Sequence, residues 1–125
     1  MALDSNEKQQ ANMPIPELER ARVERALAKF CDRVPEAIRS KLTYAIRFRG
    51  NEVILLERRP RFDDRTRHTE LSVAKFVNSP TIGGWSLKCS DRHGRWHAYD
   101  GFENVPHFRD LLREVEADPT GIFFG

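Results

Sequence analysis

Apolar residues recur at helical spacing in the first third of the chain, where Leu18, Val23, Ala26, Leu27, Phe30 and Val34 form one stripe among charged neighbours. The spacing predicts an amphipathic helix entered through Pro14-Ile15-Pro16. Proline in a first turn forfeits no bond the helix could make, and Glu17 and Glu19 suit the positive end of its dipole. Val34-Pro35 breaks the pattern, and Glu36 to Arg39 reads as a second, shorter helical turn. The period then falls to two. Leu42, Tyr44, Ile46 and Phe48 alternate with Thr43, Ala45, Arg47 and Arg49 as a half-buried strand does, and Gly50-Asn51 is a two-residue hairpin signal. With those two residues in the turn, Phe48 faces Val53, Ile46 faces Leu55 and Tyr44 faces Glu57, while Arg49 meets Glu52 on the opposite side. The apolar sides agree, which supports this register.

The eleven residues from Arg58 to His68 have no clear period and contain five arginines, so they read as a polar loop. Leu71 to Val77 reads as a third strand, and Ser79 to Gly84 as the turn after it. Two more strands, Trp85 to Asp91 and Arg95 to Asp100, join around Arg92-His93-Gly94. A two- or four-residue turn there puts Trp85, Leu87 and Cys89 on one face with Trp96 and Ala98. Ser86, Lys88, Ser90, Arg95, His97 and Tyr99 then share the other face. Asn104 is the expected N-cap of a last helix, with Pro106 in its first turn and Val105, Phe108, Leu111, Leu112 and Val115 as its apolar stripe. Asp118-Pro119 stops it, and Thr120-Gly121 turns Ile122, Phe123 and Phe124 back toward the core. The expected fold is α+β: an antiparallel meander of about five strands flanked by an N-terminal and a C-terminal helix.

Composition narrows the class without naming a function. A chain of 125 residues, 39% hydrophobic and 32% charged, can close one core, so residues 14–125 are expected to form a single domain behind a disordered leader, 1–13. The N-terminus has no signal-peptide pattern and no apolar run approaches a membrane span, which points to a cytoplasmic protein without a membrane partner. Cys31 and Cys89 read as buried thiols. Net charge is +2, but lysine and arginine outnumber aspartate and glutamate 8 to 4 between residues 41 and 68, and the first forty residues balance at 7 against 7.

Several strings in the second half are distinctive: Ala74-Lys75-Phe76, Trp85-Ser86-Leu87, Trp96-His97-Ala98-Tyr99-Asp100, and Asp118-Pro119-Thr120-Gly121-Ile122-Phe123-Phe124-Gly125. They resemble a bacterial family known only as a domain of unknown function, number three thousand and twenty-four in that series. The resemblance runs from about the first helix to the last residue and implies no activity, substrate, cofactor or catalytic residue.

The candidate chemistry lies on the expected polar sheet face. Arg47, Arg49, Lys88 and Arg95 offer charge, His97 and Tyr99 offer rings, and Arg58 and Arg59 border them from the arginine-rich loop. Together these are the candidate ligand-binding residues for a small binding or accessory module that contacts single-stranded nucleic acid or an acidic protein. A protein-interaction module, including a homodimer, is the alternative, since a meander exposes edge strands. A phosphodiester hydrolase through His97 is the third reading. Ser90 falls opposite His97 under a two-residue turn, but the pair lacks a Gly-x-Ser-x-Gly elbow and reads equally as a cross-strand hydrogen bond. No cofactor or metal is expected: His93 and His97, four apart on or beside a strand, stand roughly 13 Å apart if extended, too far to share one ion.

Overall fold

The structure, a computed structural model, describes residues 13–124; the expected leader, apart from Met13, lies outside the described residues. Helix α1 (Glu17–Cys31) is followed by a 3-10 turn (Glu36–Ile38). The strands are β1 (Thr43–Arg49), β2 (Glu52–Pro60), β3 (His68–Asn78), β4 (Trp85–Ser90) and β5 (Trp96–Ala98), and helix α2 (Phe108–Ala117) closes the order. The strands form one antiparallel sheet in sequence order. Pro16 is the N-cap of α1, so both prolines precede its hydrogen-bonded turns.

The β1–β2 hairpin has the register that the alternation predicts, with Phe48, Ile46, Tyr44 and Arg49 opposite Val53, Leu55, Glu57 and Glu52. Gly50 takes φ 56°, the left-handed value a two-residue hairpin turn demands at its first position. Asn51 then donates from its amide to the Asn78 carbonyl at 2.7 Å, which ties this turn to the end of β3.

Both helices press on one face of the sheet. Val23, Leu27 and Phe30 of α1 and Phe108, Leu111, Leu112 and Val115 of α2 meet Val53, Leu55, Phe76, Trp85, Leu87 and Cys89 in one hydrophobic cluster. At its centre the Phe108 ring sits 4.8 Å from Phe76 and 5.1 Å from Trp85, centroid to centroid, in edge-on geometry. Such pairs add about 0.5–1.5 kcal/mol beyond the area they bury. The buried Trp85 indole donates to Glu19 of α1 at 2.8 Å, so the one polar atom of the largest core side chain is satisfied.

Several boundaries depart from expectation. Leu18 is 69% exposed and stands outside the stripe of α1. Strand β2 continues to Pro60 and β3 starts at His68, so the ends of the expected loop belong to a two-stranded arm. The final helix starts at Phe108 with His107 as N-cap, not at Asn104. Asn104 takes a left-handed φ of 53°, and Val105 exchanges backbone hydrogen bonds with Trp85 at 2.7 and 2.8 Å. The strip from Tyr99 to Val105 thus continues β5 along the edge of β4. After α2, the Asp118 carboxylate accepts the amides of Phe123 and Phe124, and of the three returning apolar residues only Phe123 is buried.

Candidate functional site

Partners across an antiparallel ladder point to the same side, so register assigns every side chain to a face. Arg47, Ile54, Lys75, Lys88 and Ala98 form one row across all five strands on the side away from the helices. Arg49, Glu52, Val77 and Ser86 form the next row. Beyond them Ser90 pairs with Trp96 and Arg58 with Glu70. The helices' buried side chains all belong to the cluster on the other face, so this outer face is left open by the described helices.

The open face is basic, but much of its charge is tied. Glu70 takes Arg47 at 3.0 Å and Arg58 at 3.7 Å. Lys75 reaches Glu52 at 3.4 Å and lies over the ring of half-buried Trp96, 4.8 Å from its centroid, a cation–π contact. Arg49 and Lys88 have no ion-pair partner among the described residues. Arg47, Arg49, Arg58 and Lys88 therefore share this face, joined by Lys75 and Trp96, which sequence reasoning did not place there.

His97, Tyr99, Arg95 and Arg59 are not on it. The β4–β5 connection is a three-residue loop: Asp91 and Arg95 close it, and Gly94 takes φ 77°. An odd count reverses the facing expected from a two- or four-residue turn, so Trp96 turns outward and His97 pairs with Cys89 on the helix side. Asp at the first turn position with Gly three residues on is the sequence signal for this loop. The Asp91 carboxylate holds it by accepting the amides of His93 and Arg95 at 2.8 and 3.0 Å, and His97 Nε2 lies 2.7 Å from its other oxygen. The His97 hydrogen bond, followed by the Arg95 amide, holds the Asp91 carboxyl below the usual range.

This geometry gives His97 a fastening role. Ser90 is on the opposite face and donates to the Asp91 carbonyl, while the buried Cys89 thiol donates to the His97 carbonyl and not to its ring. Burial pushes the Cys89 thiol up, away from the thiolate a nucleophile needs. Tyr99 donates to Glu114 of α2 at 3.1 Å and packs against Phe102 and Phe123. Burial, then the Glu114 bond, raises its phenol. Arg59 falls on the helix-side face beside Glu57, to which it donates.

Of the five arginines in the arm, Arg58, Arg59 and Arg61 are paired with acids, and Arg65 and Arg67 have no ion-pair partner among the described residues. Arg61 makes two bonds to Asp63, at 2.9 and 2.6 Å, and Asp64 caps the turn through Thr66, whose hydroxyl and amide hold its carboxyl low. Phe62 at the tip is fully exposed. A cleft of about 370 Å³ beside it is lined by Lys41, Arg59, Arg61, Phe62 and Arg65, among others.

A second basic region was not anticipated. Between α1 and the start of α2 runs a groove of about 560 Å³, walled by Arg22, Arg25 and Lys29 from one helix and His107 and Arg109 from the other. Its acidic residue is Glu19, which already holds the Trp85 indole and lies 3.6 Å from Arg22. Arg25, Lys29 and Arg109 have no ion-pair partner among the described residues. The signal lay in their spacing of three and four along one helix; a balanced charge count over the first forty residues concealed it.

Among the described residues no group of three or more His, Cys, Asp or Glu could hold a metal ion, and no helix is long and apolar enough to cross a membrane. The fold and these surfaces define an α+β protein with one sheet face open. Residues 15–125 match the family model described as Domain of unknown function (DUF3024), and the chain belongs to that family. No curated protein and no solved structure matches the chain.

Proposed function

We propose that this protein is a binding module that lays single-stranded nucleic acid across the open face of its sheet. The observation that carries the reading is the outer row itself: Lys75 and Lys88 stand side by side on adjacent central strands with Trp96 beside them and Arg47 and Arg49 at the rim. A backbone of phosphates follows such a row, and an aromatic ring stacks any base. Lys75 occupies one side of Trp96, and the other side is the proposed stacking surface. Five cations against Glu52 and Glu70 leave the face positive.

The test is fluorescence anisotropy of labelled single-stranded RNA and DNA at low and raised salt. Binding should weaken steeply with salt. Arg49→Glu with Lys88→Glu, two residues without an ion-pair partner among the described residues, should abolish most of it. Absence of binding at low salt, or an unaffected double variant, overturns the reading.

A second reading has one observation in its favour. Ala45, Ile54, Leu56 and Val77 lie among the cations on the same face, which would suit a protein partner. The charge excess opposes pairing of this face with its own copy and favours an acidic partner over a homodimer. Size-exclusion chromatography with light scattering tests the homodimer directly.

A further inference from the structure

The groove between α1 and the start of α2 answers to a different ligand. We infer that it is an anion site for a small polyphosphorylated molecule, independent of the open sheet face. Its volume of about 560 Å³ falls within the range of small-ligand sites, roughly 300–1,000 Å³, and its lining combines cations with the apolar Ala26, Pro106 and Phe108.

The arrangement of charge is the stronger argument. Arg22 and Arg25 are three apart and Arg25 and Lys29 four apart on one helix, spacings at which like charges destabilise. Arg109 adds a further cation from the opposite wall. Of the four groove cations only Arg22 has an ion-pair partner among the described residues, whereas Arg20 on the same helix pairs with Glu24 at 2.9 Å. In the groove the cations converge on a cleft whose one carboxylate is engaged by Trp85 and Arg22. A cluster of cations held around a concave space, at a cost to its own helix, is complementary to a compact polyanion. The Arg33–Glu116 pair, at 2.6 Å, ties the chain just after α1 to the end of α2, away from the groove lining.

The probe is inorganic tripolyphosphate, titrated into the full chain by isothermal calorimetry at low ionic strength. Binding is expected, and Arg25→Gln/Lys29→Gln/Arg109→Gln should weaken it at least about tenfold while the circular dichroism spectrum stays unchanged. The control Arg47→Gln/Arg49→Gln/Lys88→Gln removes the same charge from the sheet face and should leave affinity within about twofold, separating a site from general attraction. All three groove residues are exposed; should their triple variant misfold, Lys29→Gln alone carries the test, with a loss of about threefold or more expected. ATP in parallel reads the rest of the ligand: tighter binding than tripolyphosphate supports an organic portion over the apolar floor, and equal binding supports recognition of phosphate alone. No binding of either probe, equal losses in the two triple variants, or no loss in the groove variants overturns the inference.

Discussion

The arm and the groove hold similar numbers of basic residues, yet they differ in what those residues touch. In the arm, Arg58, Arg59 and Arg61 each have a carboxylate within one strand or one turn, and Arg65 and Arg67 have no ion-pair partner among the described residues. In the groove, Arg25, Lys29 and Arg109 face a shared space instead. Density of arginine along a sequence therefore locates a binding surface poorly; what matters is whether the fold supplies each cation with an acid. On the open sheet face, Arg47, Arg58 and Lys75 are engaged, and Arg49 and Lys88 have no ion-pair partner among the described residues.

The largest effect separating the two surfaces is expected from Gly84→Ala. A Cβ there would lie 2.8–2.9 Å from the Asn104 backbone, which must shift, and overpacking of this kind costs about 1–3 kcal/mol. Asn104 leads through Val105 into Pro106 and His107 of the groove wall, so tripolyphosphate affinity should fall with stability in urea denaturation. Oligonucleotide binding on the sheet face should persist; a parallel loss of both would show the two regions to be one.

Next comes Trp96→Ala, which should cost oligonucleotide binding about 1–3 kcal/mol, as loss of a stacked base does, and leave tripolyphosphate untouched. Equal anisotropy titrations for the variant and the parent chain would remove Trp96 from the interface.

Acid titration then decides to which class His97 belongs. Because its bond depresses the Asp91 carboxyl in the folded state, the stabilisation is fully present above the ordinary carboxylate range and is lost as pH falls through the depressed value. Denaturation midpoints should drop less steeply across that window in His97→Ala, with nucleic-acid affinity at neutral pH unchanged. An affinity loss instead would return His97 to the binding surface.

The smallest effects have opposite signs. Lys29→Gln relieves a like-charge helix pair and should raise stability by about 0.2–0.5 kcal/mol. Glu70→Gln strips Arg47 and Arg58 of their acid and should lower it by less than about 1 kcal/mol, since the Arg47 pair is solvent-exposed and the Arg58 contact is long, at 3.7 Å. It should also tighten oligonucleotide binding, because it frees two cations of the open face.

Local periodicity made much of the scaffold legible. The alternation from Tyr44 to Phe48 and the Gly50-Asn51 turn suffice for the first hairpin, because slipping by one residue would turn every apolar side chain to water. The same logic failed at Asp91–Arg95, where one residue in the loop count exchanges Trp96 for His97 on the open face. A bulge between Leu55 and Leu56, where β3 contributes the additional Val73, is equally invisible to a period-two pattern. The groove escaped for another reason: its walls are more than seventy residues apart in the chain, and only the docking of α2 on α1 brings Arg109 toward Lys29.

The chain's two tryptophans, Trp85 and Trp96, fall one to each surface. Trp85 is wholly buried and hydrogen-bonded to Glu19 in the groove lining, whereas Trp96 is half-buried under Lys75 on the sheet. Each surface thus has its own native chromophore. A polyanion that draws Arg22 away from Glu19 would perturb the blue-shifted emission of an indole in an apolar setting, and a ligand on the sheet would alter the redder, quenchable emission of its half-buried counterpart. A Trp96→Phe chain would report on the groove alone, without any label.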